Sequence, residues 1–102
     1  MSFEVAMKAL LADADRWGAT ADELTTAADA AAALTVPAQS FSFAGGDAAA
    51  AYEELRSFVQ HYLSDGATKA TGASTALTHV HQVYASADEN AQSALHSKWQ
   101  AL

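Results

Sequence analysis

Phe3, Met7, Leu10, Ala14, Trp17, Ala21, Leu24, Ala28 and Ala31 recur at steps of four and three residues without a break. This is the seam of a helix that packs in a bundle or coiled coil. Asp13, Asp15, Arg16, Asp22, Glu23 and Asp29 fall between the seam positions and suit a wet face. Ser2 is placed to cap the amino end, with Glu4 favouring the dipole in the first turn. Gly18 costs this helix about 1 kcal/mol relative to alanine. The spacing predicts a first helix over about 3–34. Thr35-Val36-Pro37 ends it, because proline donates no N–H and restricts the residue before it.

Residues 35–46, TVPAQSFSFAGG, form a connector. Asp47 is the expected cap of a second helix over about 47–98. Its seam is expected at Tyr52, Leu55, Val59, Leu63, Gly66, Ala70, Ala73, Leu77, Val80, Tyr84, Ala87 and Ala91. Ser64-Asp65-Gly66 and Thr71-Gly72 weaken this seam and predict a kink or softened turn. Folding antiparallel about the connector sets Leu34 near Asp47 and Phe3 near residue 78. The second helix then overhangs the first from Tyr84 onward.

The fold class is therefore all-α: a single-domain antiparallel helical hairpin with a longer second helix, expected to pair into a four-helix bundle. A lone hairpin buries one face per helix and has little core, and 27 of the 102 residues are alanine. Two hairpins together solve that deficit, as a homodimer or as a heterodimer with a sister hairpin. The candidate partner-interface residues are Phe3, Met7, Leu10, Trp17, Leu24, Tyr52, Val59, Leu63, Leu77, Val80, Leu95 and Trp99. Trp17 reads as core, whereas Trp99 lies beyond the hairpin's reach.

Charge narrows the partners further. The net charge is −7, and the five basic residues Lys8, Arg16, Arg56, Lys69 and Lys98 are scattered. Nucleic-acid binding needs a basic stripe that is absent here, as does attachment to anionic lipid. No stretch approaches the roughly 20 apolar residues of a membrane span, so stable membrane insertion is not expected. The amino terminus lacks the basic region and unbroken apolar run of a Sec signal. Without cysteine there is no disulfide, thiolate metal site or cysteine nucleophile.

Candidate chemistry adds little. His79 and His81 are two residues apart and point to different helix faces. Glu54, His61 and Asp65 share a face, but Glu54 and His61 are about 10 Å apart along the axis. A solvated polar face explains that trio better than a metal site. Ser40 and Ser42 have no evident base, and Gly45-Gly46 lacks the lysine of a phosphate loop. No catalytic residue, metal or cofactor is expected, and the chain does not read as an enzyme. A small metal-dependent enzyme built on a dimeric bundle is the reading that metal analysis would address.

Tyr84-Ala-Ser-Ala-Asp88, near the carboxyl end, carries a resemblance. The chain is similar to the substrates of type VII (ESX) secretion in actinobacteria, the superfamily of WXG, PE and EspC-like helical hairpins. Tyr84-x-x-x-Asp88 resembles the family's YxxxD/E export motif, and its setting QVYASADENAQSAL looks most like the EspC-like branch. Phe43-Ala44-Gly45 resembles a W-x-G turn with phenylalanine in place of tryptophan. The opening MSF and the late YASADENA are also similar to PE proteins.

This resemblance implies a non-enzymatic protein that folds in the cytoplasm and is exported to the cell surface or medium as an interaction partner or virulence-associated factor. The cytosolic ATPase of the secretion system would read Tyr84 and Asp88. Phe43 and Gly45 of one hairpin would lie beside the partner's Tyr84 and Asp88. The alternatives are a PE-like export partner, or a chaperone- or immunity-like bundle protein that stays in the cytosol.

Overall fold

A computed structural model describes residues 2–41 and 45–101. Its elements, in chain order, are α1 (Phe3–Ala32), a short 3-10 helix (Ala38–Phe41) and α2 (Gly45–Ala101). The two long helices pack against each other as a hairpin, and no strand occurs among the described residues.

Local chemistry sets the bounds of α1. The Ser2 hydroxyl accepts a 3.1 Å hydrogen bond from the Val5 amide, satisfying one of the amides that a helix start leaves free. At the other end, α1 stops two residues before Leu34. The Leu34 amide bonds the Ala31 carbonyl, tightening the last turn to i→i+3 bonding before Pro37. The second helix begins at Gly45, so Asp47 is not its cap. It lies inside the first turn, where its charge still opposes the positive end of the helix dipole.

The kink expected near Gly66 and Gly72 is absent. Helix α2 is continuous over 57 residues, about 85 Å at 1.5 Å per residue, and the whole molecule extends 89 Å. Gly66 serves contact instead of bending. A Cβ built on it would lie 3.5 Å from Leu24 Cδ1, at ordinary van der Waals distance.

The core is thin. Met7, Ala14, Ala21, Ala28 and Ala31 of α1 are buried, and Ala67 and Ala70 are their buried counterparts on α2. Among the described residues no large side chain is fully buried. Methyl groups allow the two backbones to approach, and Ser74 exploits this by donating 2.8 Å to the Ala14 carbonyl. On α2 the inner face keeps Tyr52, Leu63, Ala70 and Leu77 of the expected seam but is turned by about half a residue from it. Ala67, His81 and Ala85 face inward more than Gly66, Val80 and Tyr84. Small side chains take the line of closest approach, and the larger apolar ones move to the flank.

The register also differs from expectation. Leu34 meets Tyr52, not Asp47, and Phe3 reaches residues 85–89, not 78. The 3-10 helix causes this shift: it folds back on α2, with Phe41 and Tyr52 ring centroids 5.8 Å apart. The first two turns of α2 therefore pack on the connector, and α1 starts its descent five residues later. The overhang begins at about Asn90, not at Tyr84.

Candidate functional site

The tip of α1 lies beside the expected export motif. Phe3, Glu4 and Met7 border an open cleft with His81, Ala85, Asp88 and Glu89. Asp88 borders this cleft while remaining exposed, and one carboxylate oxygen accepts 3.0 Å from Gln92 Nε2 one turn on. Tyr84 does not line this cleft. Its ring lies on the flank of α2 and is 54% exposed. The pair remains one helical turn apart, with the ring free for contact and the carboxylate beside its own hairpin's tip.

From within the motif onward, residues 86–100 are exposed throughout. Leu95 and Trp99 belong to this stretch and project from a helix that has nothing beside it. Phe43, the first residue of the W-x-G-like turn, lies outside the described residues. Gly45 is the first residue of α2.

The remaining interface candidates divide into two groups. Met7 is buried, and Leu10, Leu24, Tyr52, Leu63 and Leu77 are half-buried within the hairpin. Phe3, Trp17, Val59 and Val80 are exposed. Trp17 is therefore not core: it sits at the margin of a seam too narrow to cover an indole.

Sequence reasoning named Leu55 and Val59 but missed Phe58 and Tyr62, which extend them into an exposed apolar patch. Leu55, Phe58 and Tyr62 are 63%, 67% and 71% exposed, and the two rings stack with centroids 6.1 Å apart. Ala31 of α1 and Leu34 just past its end join Leu55 and Val59 in a groove. Farther along, Leu24 meets Tyr62, Gly66 and Lys69. The patch thus continues across both helices on one side of the hairpin. Its signal in the sequence is a second series of apolar residues one step off the inner seam.

Polar chemistry lies elsewhere. Arg56 reaches across to the Ala31 carbonyl at 3.3 Å, helping to satisfy the carboxyl end of α1, and its Nε donates 2.9 Å to Glu53. That hydrogen bond holds the Glu53 carboxyl below its ordinary value and the Arg56 guanidinium above its own. His61 Nδ1 lies 2.8 Å from the Ser57 carbonyl, so the ring is engaged with its own helix. Among the described residues no three histidine or acidic side chains converge on a metal position, and no helix is long and apolar enough to cross a membrane. No protein-family model, curated protein or solved structure matches the chain.

Proposed function

We propose that the protein is a non-enzymatic substrate of type VII secretion, EspC-like, whose Tyr84 and Asp88 are read by the secretion ATPase. It pairs with another helical hairpin into a four-helix bundle. After export it acts at the cell surface or in the medium as an interaction partner or virulence-associated factor. The observation that carries this reading is the half-exposed Tyr84 ring on the flank of α2 shortly before that helix outruns α1, with exposed helix from Ser86 through residue 100. A receptor groove can bury that ring, bond its hydroxyl and pair the nearby carboxylate with arginine.

Secretion is the test. Tyr84→Ala and Asp88→Ala should each remove the protein from the culture supernatant of the native host while leaving its helicity unchanged. Supernatant levels equal to the unaltered chain for both variants refute the export role. The alternative, a chaperone- or immunity-like bundle protein retained in the cytosol, calls for Tyr84 buried in its own core, whereas that residue is 54% exposed. Under that alternative the unaltered protein would stay in the lysate.

A further inference from the structure

The surface of α2 is two-sided along most of its length. From Leu55, steps of four and three residues lead through Val59, Tyr62, Gly66 and Lys69. They continue through Ala73, Ala76, Val80 and Val83 to Ala87. This is a second heptad series that α1 covers only in part: Gly66 is half-buried beside Leu24, whereas Leu55, Tyr62 and Val83 are each more than half exposed. The opposite flank repeats every seven residues as Glu54, His61, Thr68, Thr75, Gln82 and Glu89, all polar and all exposed. A helix wetted equally on both flanks has no physical cause to segregate its residues in this way.

The whole molecule carries the same imbalance. Its accessible surface is 7560 Å², whereas a compact monomer of this mass exposes about 5,500 Å². The apolar side chains left open along the second series, with Phe58 and Tyr84 at its margins, present on the order of 800 Å². Fully covered, that area would reach one partner's share of a standard stable interface, about 800 Å².

We infer that a second copy of this chain docks on the outer series, with the two α2 helices antiparallel and centred near residue 71. This specifies the pairing proposed above and does not depend on export. In that register Val59 meets Val83 of the second copy, Tyr62 meets Val80, Gly66 meets Ala76 and Lys69 meets Ala73. Each layer joins the two kinds of seam position, as antiparallel helices require, and the bulkier amino-terminal half meets the slimmer carboxyl-terminal half. Lys69 is the one charged residue of the series, and its ammonium escapes past the methyl of Ala73. A parallel pairing stacks Lys69 on Lys69 in a dry layer, where like charges repel. The acidic residues that give the chain its charge of −7 lie outside the series.

Sedimentation of the purified chain tests this, with a dimer expected at micromolar concentration. Tyr62→Glu and, separately, Val83→Glu should weaken it about 30-fold or more, with helicity retained because both side chains are exposed in the hairpin. His61→Glu, on the polar flank, should leave it intact. Because the chain lacks cysteine, a mixture of Val59→Cys and Val83→Cys proteins should oxidise to a cross-linked heterodimer, and neither protein should cross-link alone. A monomeric native chain overturns the inference and leaves the face to a different protein or a lipid surface. A dimer indifferent to both glutamate variants, or Val59→Cys cross-linking with itself, overturns it as well. Purified protein carries every arm of this test, so its failure leaves the export reading untouched.

Discussion

The Tyr52 hydroxyl donates a 2.6 Å hydrogen bond to the main-chain carbonyl of Leu34, joining α2 to α1 where the hairpin turns. The bond gives a connector carbonyl just past the end of α1 a partner, and it holds Tyr52 over the 3-10 helix against Phe41. It thereby selects which turn of α2 faces which turn of α1. Removing the hydroxyl alone, in Tyr52→Phe, keeps the ring contact and should cost about 1 kcal/mol, read as a lower melting temperature. An unchanged melt would mean that water replaces the bond without loss.

Ala70 occupies the line of closest approach and is 3% exposed. With Ala14 and Ala21 buried on the facing helix, no neighbouring side chain can retract to admit a larger group. Ala70→Leu should therefore destabilise the hairpin by about 1–3 kcal/mol although it adds hydrophobicity. Denaturant melts read this directly, and a stabilised variant would show that the seam has slack.

The partial rotation of α2 has the same origin. The seam of α1 was legible because its alternatives are charged: every position beside Met7, Ala14, Ala21 and Ala28 that could replace them is polar or lies on the rim. Helix α2 offers two apolar series side by side, and hydropathy favours the one containing Val80 and Tyr84. The hairpin keeps Leu63, Ala70 and Leu77 of that series but turns Ala67 and Ser74 inward beside them, because those two are small enough for backbone contact. Side-chain size decided which positions turn inward, and a count of apolar positions is blind to that. The register was illegible for a different reason: nothing in TVPAQSFSFAGG declares that the connector folds back over two turns of α2. The tail beyond α1 was readable from length alone, whereas its exact start depended on that fold-back.

Gly72 is the clearest place to stabilise the molecule. It lies within α2, and a Cβ built there meets nothing within 4 Å. Gly72→Ala restricts the unfolded chain without crowding the folded one, so it should add about 0.5–1 kcal/mol. A higher melting temperature with unchanged helical content is the expected result.

Acid should loosen the top of the hairpin through Glu53. Its carboxyl is held below its ordinary value of 4.5, chiefly by the hydrogen bond from Arg56. A depressed carboxyl contributes stability above its unfolded value and loses that contribution as pH falls through the folded one. The melting temperatures of the native chain and of Glu53→Gln should therefore differ most near neutrality and converge once pH drops below the ordinary carboxylate range. A difference that stayed constant across that window would assign the effect to packing of the Arg56 side chain.

Residues 91–102 follow the last residues of α2 that border the tip of α1. The side chains from Ala91 to Gln100 are exposed, including Leu95 and Trp99, so within one hairpin this segment contributes helix without tertiary burial. An isolated helical extension of this length is marginal in water and gains little from the cooperative unit below it. Deleting residues 91–102 should therefore lower the helical signal roughly in proportion to the residues lost while moving unfolding stability by no more than about 0.5 kcal/mol. The antiparallel pairing inferred above ends at Ala87, so the shortened chain should also remain dimeric. A large loss of stability would place Leu95 or Trp99 against the second copy and require the interface to extend beyond Ala87.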